Sequence, residues 1–326
     1  MLSVTLGPLA LPLAPLLLLL AVGCASWLAG RLQARLQARQ GADAGSAGST
    51  SSAASAGGAG SVERADGASG PDRARRAQRT ADAASRSVVL AAALGLLAAR
   101  AVYLARNAEA YLAVPPALLD LRDGGWHAPS GFAAAAAWLL WCGWRVPARR
   151  LPLAAAAATA ALVWTAGALV SGAAGSHGMP EVTLAALDGG APVALRQAAA
   201  GRPVLVNLWA SWCAPCRAEM PTLGAAQRQH ADVGLLFVNQ GEPEAAVRAY
   251  LAALRPPLRE VLLDPGARLG AAVGSRGLPT SFFYDAQGRL VDAHFGVLNA
   301  AALQARLRGL VERAPPRSTS PALPSP

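Results

Sequence analysis

The chain contains no lysine: all 29 of its basic residues are arginine, set against 19 acidic residues for a formal net charge of +10. Aromatic residues make up only 5% of the chain and do not interleave with the arginines, which argues against a nucleic-acid-binding surface. Cysteine and histidine are scarce, with four of each. The histidines are scattered, and Cys24 and Cys142 lie in apolar runs. A structural zinc site would need a second ligand pair beside Cys213 and Cys216, and the sequence offers none. Basic residues are also missing ahead of the first apolar run, where a cleaved signal peptide would carry a positive n-region.

Hydrophobic residues account for 53% of the chain and mean hydropathy is +0.32, so membrane-crossing segments are expected. Four apolar runs stand out: 8–29, 87–105 (interrupted by Arg100), 131–144 and 151–172. A helix over the first would reach roughly 33 Å, enough to cross a bilayer. The repeat RLQARLQAR at 31–39 reads as a solvated extension of that helix. Residues 41–86, rich in Ala, Gly, Ser and Arg, read as a flexible loop. Nine arginines fall in 30–86 and three in 145–150, against two, Arg106 and Arg122, in 106–130. The positive-inside rule then puts the first two loops in the cytoplasm and both chain ends outside. Ala-Val-Gly-Cys at 21–24 loosely matches a lipoprotein cleavage box that would lipidate Cys24; the later spans argue against it.

Composition changes after Gly172, and over 180–313 short apolar runs alternate with helix-patterned stretches. Strands are expected at Val204–Trp209, Val233–Asn239, Ser281–Tyr284 and Leu290–Phe295, and a lead-in hairpin around Asp188–Gly190. Helices are expected at Ala214–Gln229, Glu244–Leu254 and Ala300–Val311, and a disordered tail from Ala314. Between the first strand and the first helix stands Trp-Cys-Ala-Pro-Cys, 212–216. If the helix starts at Cys213, that sulfur lies where unpaired N–H groups and the macrodipole favour a thiolate. Cys216 follows one turn later on the same face. One sulfur can then attack a substrate disulfide and the other resolve the mixed disulfide. A zinc half-site and a chance pair are the alternatives; only redox chemistry also accounts for the strand–CxxC–helix order.

Three stretches, VLVNLWASWCAPCRAEMP at 204–221, FVNQGE at 237–242 and GLPTSFFYDAQGRLV at 277–291, closely resemble the TlpA/ResA-like branch of the thioredoxin family. The resemblance implies an α/β thioredoxin-like domain over 176–313, a central mixed sheet flanked by helices; the four apolar runs lead to the expectation that it follows an all-α membrane region over 1–175 of about four transmembrane helices. It implies an envelope thiol–disulfide oxidoreductase, membrane-anchored with its redox domain in the periplasm, that reduces protein disulfides and needs no cofactor. Its implied partners are disulfide-bearing envelope proteins such as apocytochrome c, a membrane electron donor and the lipid bilayer, with no nucleic acid. Cys213 then matches the attacking cysteine, Cys216 the resolving one and Pro279 a cis-proline. That proline would set the Leu278 backbone beside the sulfurs to pair with an extended peptide. Glu219 matches a recurrent acidic residue and could accept the Cys216 proton; the alternative is a surface carboxylate favoured by the helix dipole. Asn207 stands where thioredoxin has a buried Asp, so another acid is needed if a proton is to be exchanged. Pro221 is expected to kink the helix. Trp209 and Trp212 are expected to pack around the site, Trp212 as a substrate contact or a core residue.

Residues 96–125, LLAARAVYLARNAEAYLAVPPALLDLRDGG, faintly resemble the early part of prolipoprotein diacylglyceryl transferase, with Arg100 on a family arginine and His127 as a second candidate. The rest of that family's site has no counterpart, so the region reads as a repurposed anchor. Arg100 would then meet a lipid phosphate or snorkel to the interface. A Cu(I)-binding module using both thiolates is a third reading. His177, His230 and His294 read as surface or core residues, and Cys142 as a buried inert thiol.

Overall fold

A computed structural model describes residues 3–6, 9–51, 70–175, 178–199, 201–275 and 277–313. The elements begin with β1 (Ser3–Leu6), β2 (Leu9–Pro12), α1 (Leu13–Ser51), α2 (Gly70–Arg106), α3 (Ala108–Leu112), α4 (Ala128–Arg145) and α5 (Arg150–Gly175). They continue with β3 (Thr183–Ala186), β4 (Val193–Ala194), α6 (Leu195–Ala199), β5 (Val204–Trp209), α7 (Ala214–Gln229), β6 (Gly234–Gln240) and α8 (Glu244–Ala253). The last are β7 (Val261–Asp264), α9 (Arg268–Ala272), β8 (Thr280–Tyr284), β9 (Leu290–Phe295) and α10 (Ala300–Glu312). The expected disordered tail and His177 lie outside the described residues.

Two compact units divide the chain. The helical unit comprises Ala14–Val102 and Trp126–Ala168. Its interior is built from small residues, Ala25, Ala29, Ala84 and Ala156, with Val88, Leu153 and Cys142. A Cβ added at Gly95 would lie 2.9 Å from the Gly131 carbonyl oxygen, so α2 and α4 approach through glycine. The expected flexible loop at 41–86 is corrected here: 41–51 continue α1 and 70–86 open α2, while 52–69 lie outside the described residues. Alanine and arginine are strong helix formers, and that propensity outweighs the low apolar content. Among the described residues one stretch, Gln78–Arg106, is long and apolar enough to cross a membrane, where four were expected. The run 131–144 lies in an α4 of 18 residues, about 27 Å long.

The second unit includes Tyr103–Gly125 and the chain from Leu169. Its seven-stranded sheet has the order β4-β3-β7-β6-β5-β8-β9. β5, β6 and β7 are parallel, whereas β3, β4, β8 and β9 join antiparallel, which makes the sheet mixed. β5 is buried throughout and alternates strictly. Val204, Val206 and Leu208 enter the cluster that holds Leu195 and Leu269. Leu205 and Trp209 face the opposite cluster, with α7 (Cys216, Met220, Leu223), α8 (Val247) and α10 (Leu303, Leu307). Period-two geometry therefore aims Asn207 at α7. The elements predicted over 180–313 match to within about two residues, whereas β1, β2, α3, β7, α6 and α9 were not anticipated, and the helix expected from residue 8 begins at Leu13, after β2.

Tyr103–Gly125, which begins in the last turn of α2, groups with this second unit, whereas the sequence reading set it with residues 1–175. Ala110, Tyr111 and Ala117 form one buried cluster with Ala301 of α10. Polar contacts fasten the same surface. The Asn299 amide donates to Asp120 Oδ2 (3.1 Å), Arg306 donates to the Asp123 carbonyl (2.8 Å), and Arg308 pairs with Glu109 (3.0 Å). The Tyr111 hydroxyl donates to Asp123 Oδ2 at 2.5 Å, and burial with this bond raises the Tyr111 pKa.

Candidate active site

α7 begins beside the end of β5, and its first turn carries the two cysteines. Cys213 is the N-cap, its backbone extended, and its Sγ accepts the Cys216 backbone N–H at 3.2 Å. Pro215, in the first turn, lacks an N–H exactly where helices leave theirs unpaired. Cys213 and Cys216 are joined, with S–S 2.09 Å and Cα–Cα 5.2 Å, so the structure is of the oxidised form. Both are buried, Cys216 completely, so Cys213 is the sulfur nearer solvent. In the reduced form the N–H that reaches Cys213 would stabilise its thiolate.

Glu219 follows on the same helix and is only 1% exposed, so the surface-carboxylate alternative is overturned. Its Oε1 accepts the Asn207 amide (2.8 Å) and its Oε2 the Leu298 backbone N–H (3.0 Å). Asn207 also donates to Ser281 Oγ (3.0 Å), its register partner on β8. Burial pushes the Glu219 carboxyl up to about 7, opposed by the Leu298 N–H and the Asn207 amide. A group poised there can take or return a proton near neutral pH. Pro221 lies inside α7, which runs on through it to Gln229.

A second buried carboxylate was missed by sequence reasoning. Glu242 accepts the Ser211 backbone N–H (2.6 Å), the Ser211 hydroxyl (2.5 Å) and the Asn239 amide (2.6 Å). Ser211 lies in the turn closed by Cys213 N–H on the Ala210 carbonyl (3.3 Å). Glu242 thus clamps the loop that presents Trp212 and Cys213. The signal for it lay in FVNQGE, quoted for its resemblance but given no chemical role.

Trp209 is fully buried against Tyr250, while Trp212 is 68% exposed, which corrects the core alternative for Trp212. The Leu278–Pro279 bond is cis, and Leu278 packs on the cluster that holds both cysteines. The Pro279 carbonyl accepts the Gly296 N–H (2.9 Å). His294 is buried on β9, and burial with the nearby Arg306 guanidinium pushes its pKa down to about 4. His230 bonds Gln304 (2.8 Å), and His127 caps α4 through the Ser130 N–H. Arg100 is buried, with its guanidinium 5.9 Å from the Trp126 ring, and Cys142 is a buried free thiol. Cys24 is exposed.

Residues 173–306 match the Redoxin family. The chain is 34% identical over 120 residues to the thiol:disulfide interchange protein DsbE of Pseudomonas fluorescens biotype C, covering 36% of this chain and 66% of that one. It is 31% identical over 132 residues to the thiol:disulfide interchange protein HelX of Rhodobacter capsulatus, covering 40% of this chain and 74% of the relative. A crystal structure of a DsbE-type protein from Chlorobium tepidum shares 28% identity and a TM-score of 0.38, over 41% of this chain and 96% of that one. The chain spans just under two thirds of the Pseudomonas protein's length and about three quarters of HelX. It therefore belongs to the thioredoxin-like thiol:disulfide interchange proteins.

Proposed function

We propose that this protein is a membrane-anchored thiol–disulfide oxidoreductase that reduces protein disulfides in the bacterial periplasm. The observation that carries the reading is a helix-capping Cys213, bonded to Cys216 in front of a buried Glu219. In the reduced protein the Cys213 thiolate attacks one sulfur of a substrate disulfide. A mixed disulfide forms and the first substrate thiolate leaves. Glu219 takes the Cys216 proton, directly or through water, and Cys216 then attacks Cys213 Sγ. The second substrate thiolate departs, and two electrons have passed from the dithiol to the substrate. Exposed Trp212 and the Leu278–Pro279 edge offer the surface for an extended peptide.

The arginine distribution and α2 support anchoring through the helical unit. In this reading that unit is an anchor and not a working lipid transferase. The relatives' thiol:disulfide interchange names support disulfide-bearing substrates; in the proposed reading these are envelope proteins, with apocytochrome c as the specific candidate. A separate membrane donor would return electrons to the Cys213–Cys216 disulfide. Replacing Cys216→Ser should trap substrates on Cys213 as mixed disulfides visible on non-reducing gels. Absence of adducts from cells expressing that variant would sink the proposal.

A further inference from the structure

The turn that bonds Glu219 is held from two sides. On the inner side, the Leu298 N–H donates to Glu219 Oε2 (3.0 Å) and the Gly296 N–H to the Pro279 carbonyl (2.9 Å). On the outer side, Asn299 caps α10 through the Ala302 N–H (2.8 Å) while its amide reaches Asp120 Oδ2 (3.1 Å). His294 Nε2 meets the Val297 carbonyl (3.4 Å), and its Nδ1 lies 3.5 Å from Arg306 Nη2, the nitrogen that donates to the Asp123 carbonyl. Arg306 also pairs with Asp292. Asn207, Ser281 and His294 are register partners across β5, β8 and β9, so all three share one sheet face. Asp120 through its carboxylate and Asp123 through its backbone carbonyl thus contact Asn299 and Arg306, the side chains that adjoin the Gly296–Asn299 turn.

We propose that Tyr103–Gly125 is a positioning element of the redox site, with Asp120 and Asn299 as its contact pair. It holds the 296–299 turn so that the Leu298 N–H stays on the Glu219 carboxylate. The proposal rests on the reading of Glu219 as the Cys216 proton acceptor. The segment that leaves the membrane-anchoring helix α2 thereby tunes the acid of the chemistry, although it lies some 180 residues earlier in the chain than the turn it grips. A hydrogen bond to the charged form lowers a carboxyl pKa, so loosening the turn raises it.

The elements packed against Glu219 carry other charged and titratable groups. α7 carries Cys213, Cys216 and Arg217, β9 carries Asp292 and His294, and α10 carries Arg306 and Arg308; β5 and β8 present neutral Asn207 and Ser281. None of these is altered by Asn299→Ser. Serine keeps the helix cap, since it is a preferred N-cap residue, but it lacks the amide that reaches Asp120. Asp120→Ala removes the grip from the other side and leaves α10 and its cap unchanged.

The test uses the full chain in detergent, oxidised, with two readouts. Deuterium exchange of a peptide covering 296–299 reports the turn, and the carbon-13 shift of the Glu219 carboxyl, assigned by its loss in Glu219→Gln, reports the titration midpoint. Both variants should speed exchange about tenfold and move the midpoint above its wild-type value. Wild-type exchange and midpoint in folded variants would overturn the proposal. So would faster exchange with an unmoved midpoint, because the segment would then be structural only. The acceptor reading fails separately: Glu219→Gln would leave the pH dependence of disulfide reduction unchanged.

Discussion

The two units of the chain bury opposite things. In the helical unit the interior is Ala25, Ala29, Ala84 and Ala156, while Leu97 and Leu140 are 67% and 75% exposed. In the redox unit Leu205, Trp209, Phe237 and Phe283 are fully buried. Without a hydrophobic drive between helices, small residues that permit close approach are what hold a membrane bundle together, and large apolar side chains can face the lipid. In water the same exposure would be costly, and the sheet of the redox unit buries its large apolar side chains, although Leu112, Leu119, Leu121 and Trp212 of that unit stay exposed. In the proposed function anchoring and redox chemistry fall to separate units, so each should be breakable alone.

The largest effect should come from Cys213→Ser. Disulfide reduction should vanish, while membrane retention on fractionation stays complete. Next, Glu219→Gln should slow resolution of the mixed disulfide by about 10²-fold, as expected for loss of a general base, again with retention unchanged; stopped-flow thiol release measures it. From the other side, Leu97→Arg should weaken membrane insertion by about 3 kcal/mol. Glycosylation-mapping of the isolated segment would read that, and disulfide reduction by the detergent-solubilised variant should match wild type. Loss of redox activity there would break the comparison.

A smaller effect lies in the pH dependence of stability. Glu219 sits near 7 when folded against an ordinary value of 4.5, so between those values the native state holds a proton that the unfolded chain has lost. Stability therefore falls as pH rises through that window, by about 3 kcal/mol. His294 sits near 4 against 6.5, so the unfolded chain binds the extra proton and stability rises with pH over 4 to 6.5. The two slopes oppose and largely cancel in the parent protein. Glu219→Gln should expose the rising slope and His294→Asn the falling one, each read by denaturant titration of the oxidised protein across pH 4 to 7. Parallel curves for all three proteins would contradict the burial argument. Least affected should be Trp212→Ala, with KM raised severalfold and kcat nearly unchanged, because that side chain is exposed and packs on little.

The redox site was legible because its signals are local. The apolar run Val204–Trp209 and the spacing of Cys213, Cys216 and Glu219 along one helix face are written within 16 residues. Glu242 was less so, since its partner Ser211 is 31 residues away and nothing in the local pattern marks the pair. The Asp120–Asn299 and Asp123–Arg306 contacts span 179 and 183 residues, and no periodicity announces such pairings. Residues 41–51 and 70–86 misled for a different reason: their helices bury alanine and glycine, so the apolar stripe that identifies an aqueous amphipathic helix is weak.

The account stands on Cys213 as the reactive member of a reversible pair. The most direct measurement is a redox titration of the full chain in dithiol buffers, with the reduced protein alkylated briefly near neutral pH and mapped by mass spectrometry. The predicted result is one two-electron transition, about 30 mV per tenfold change in ratio, with the label on Cys213 and Cys216 protected. No reversible transition, or first labelling at Cys216, would contradict it.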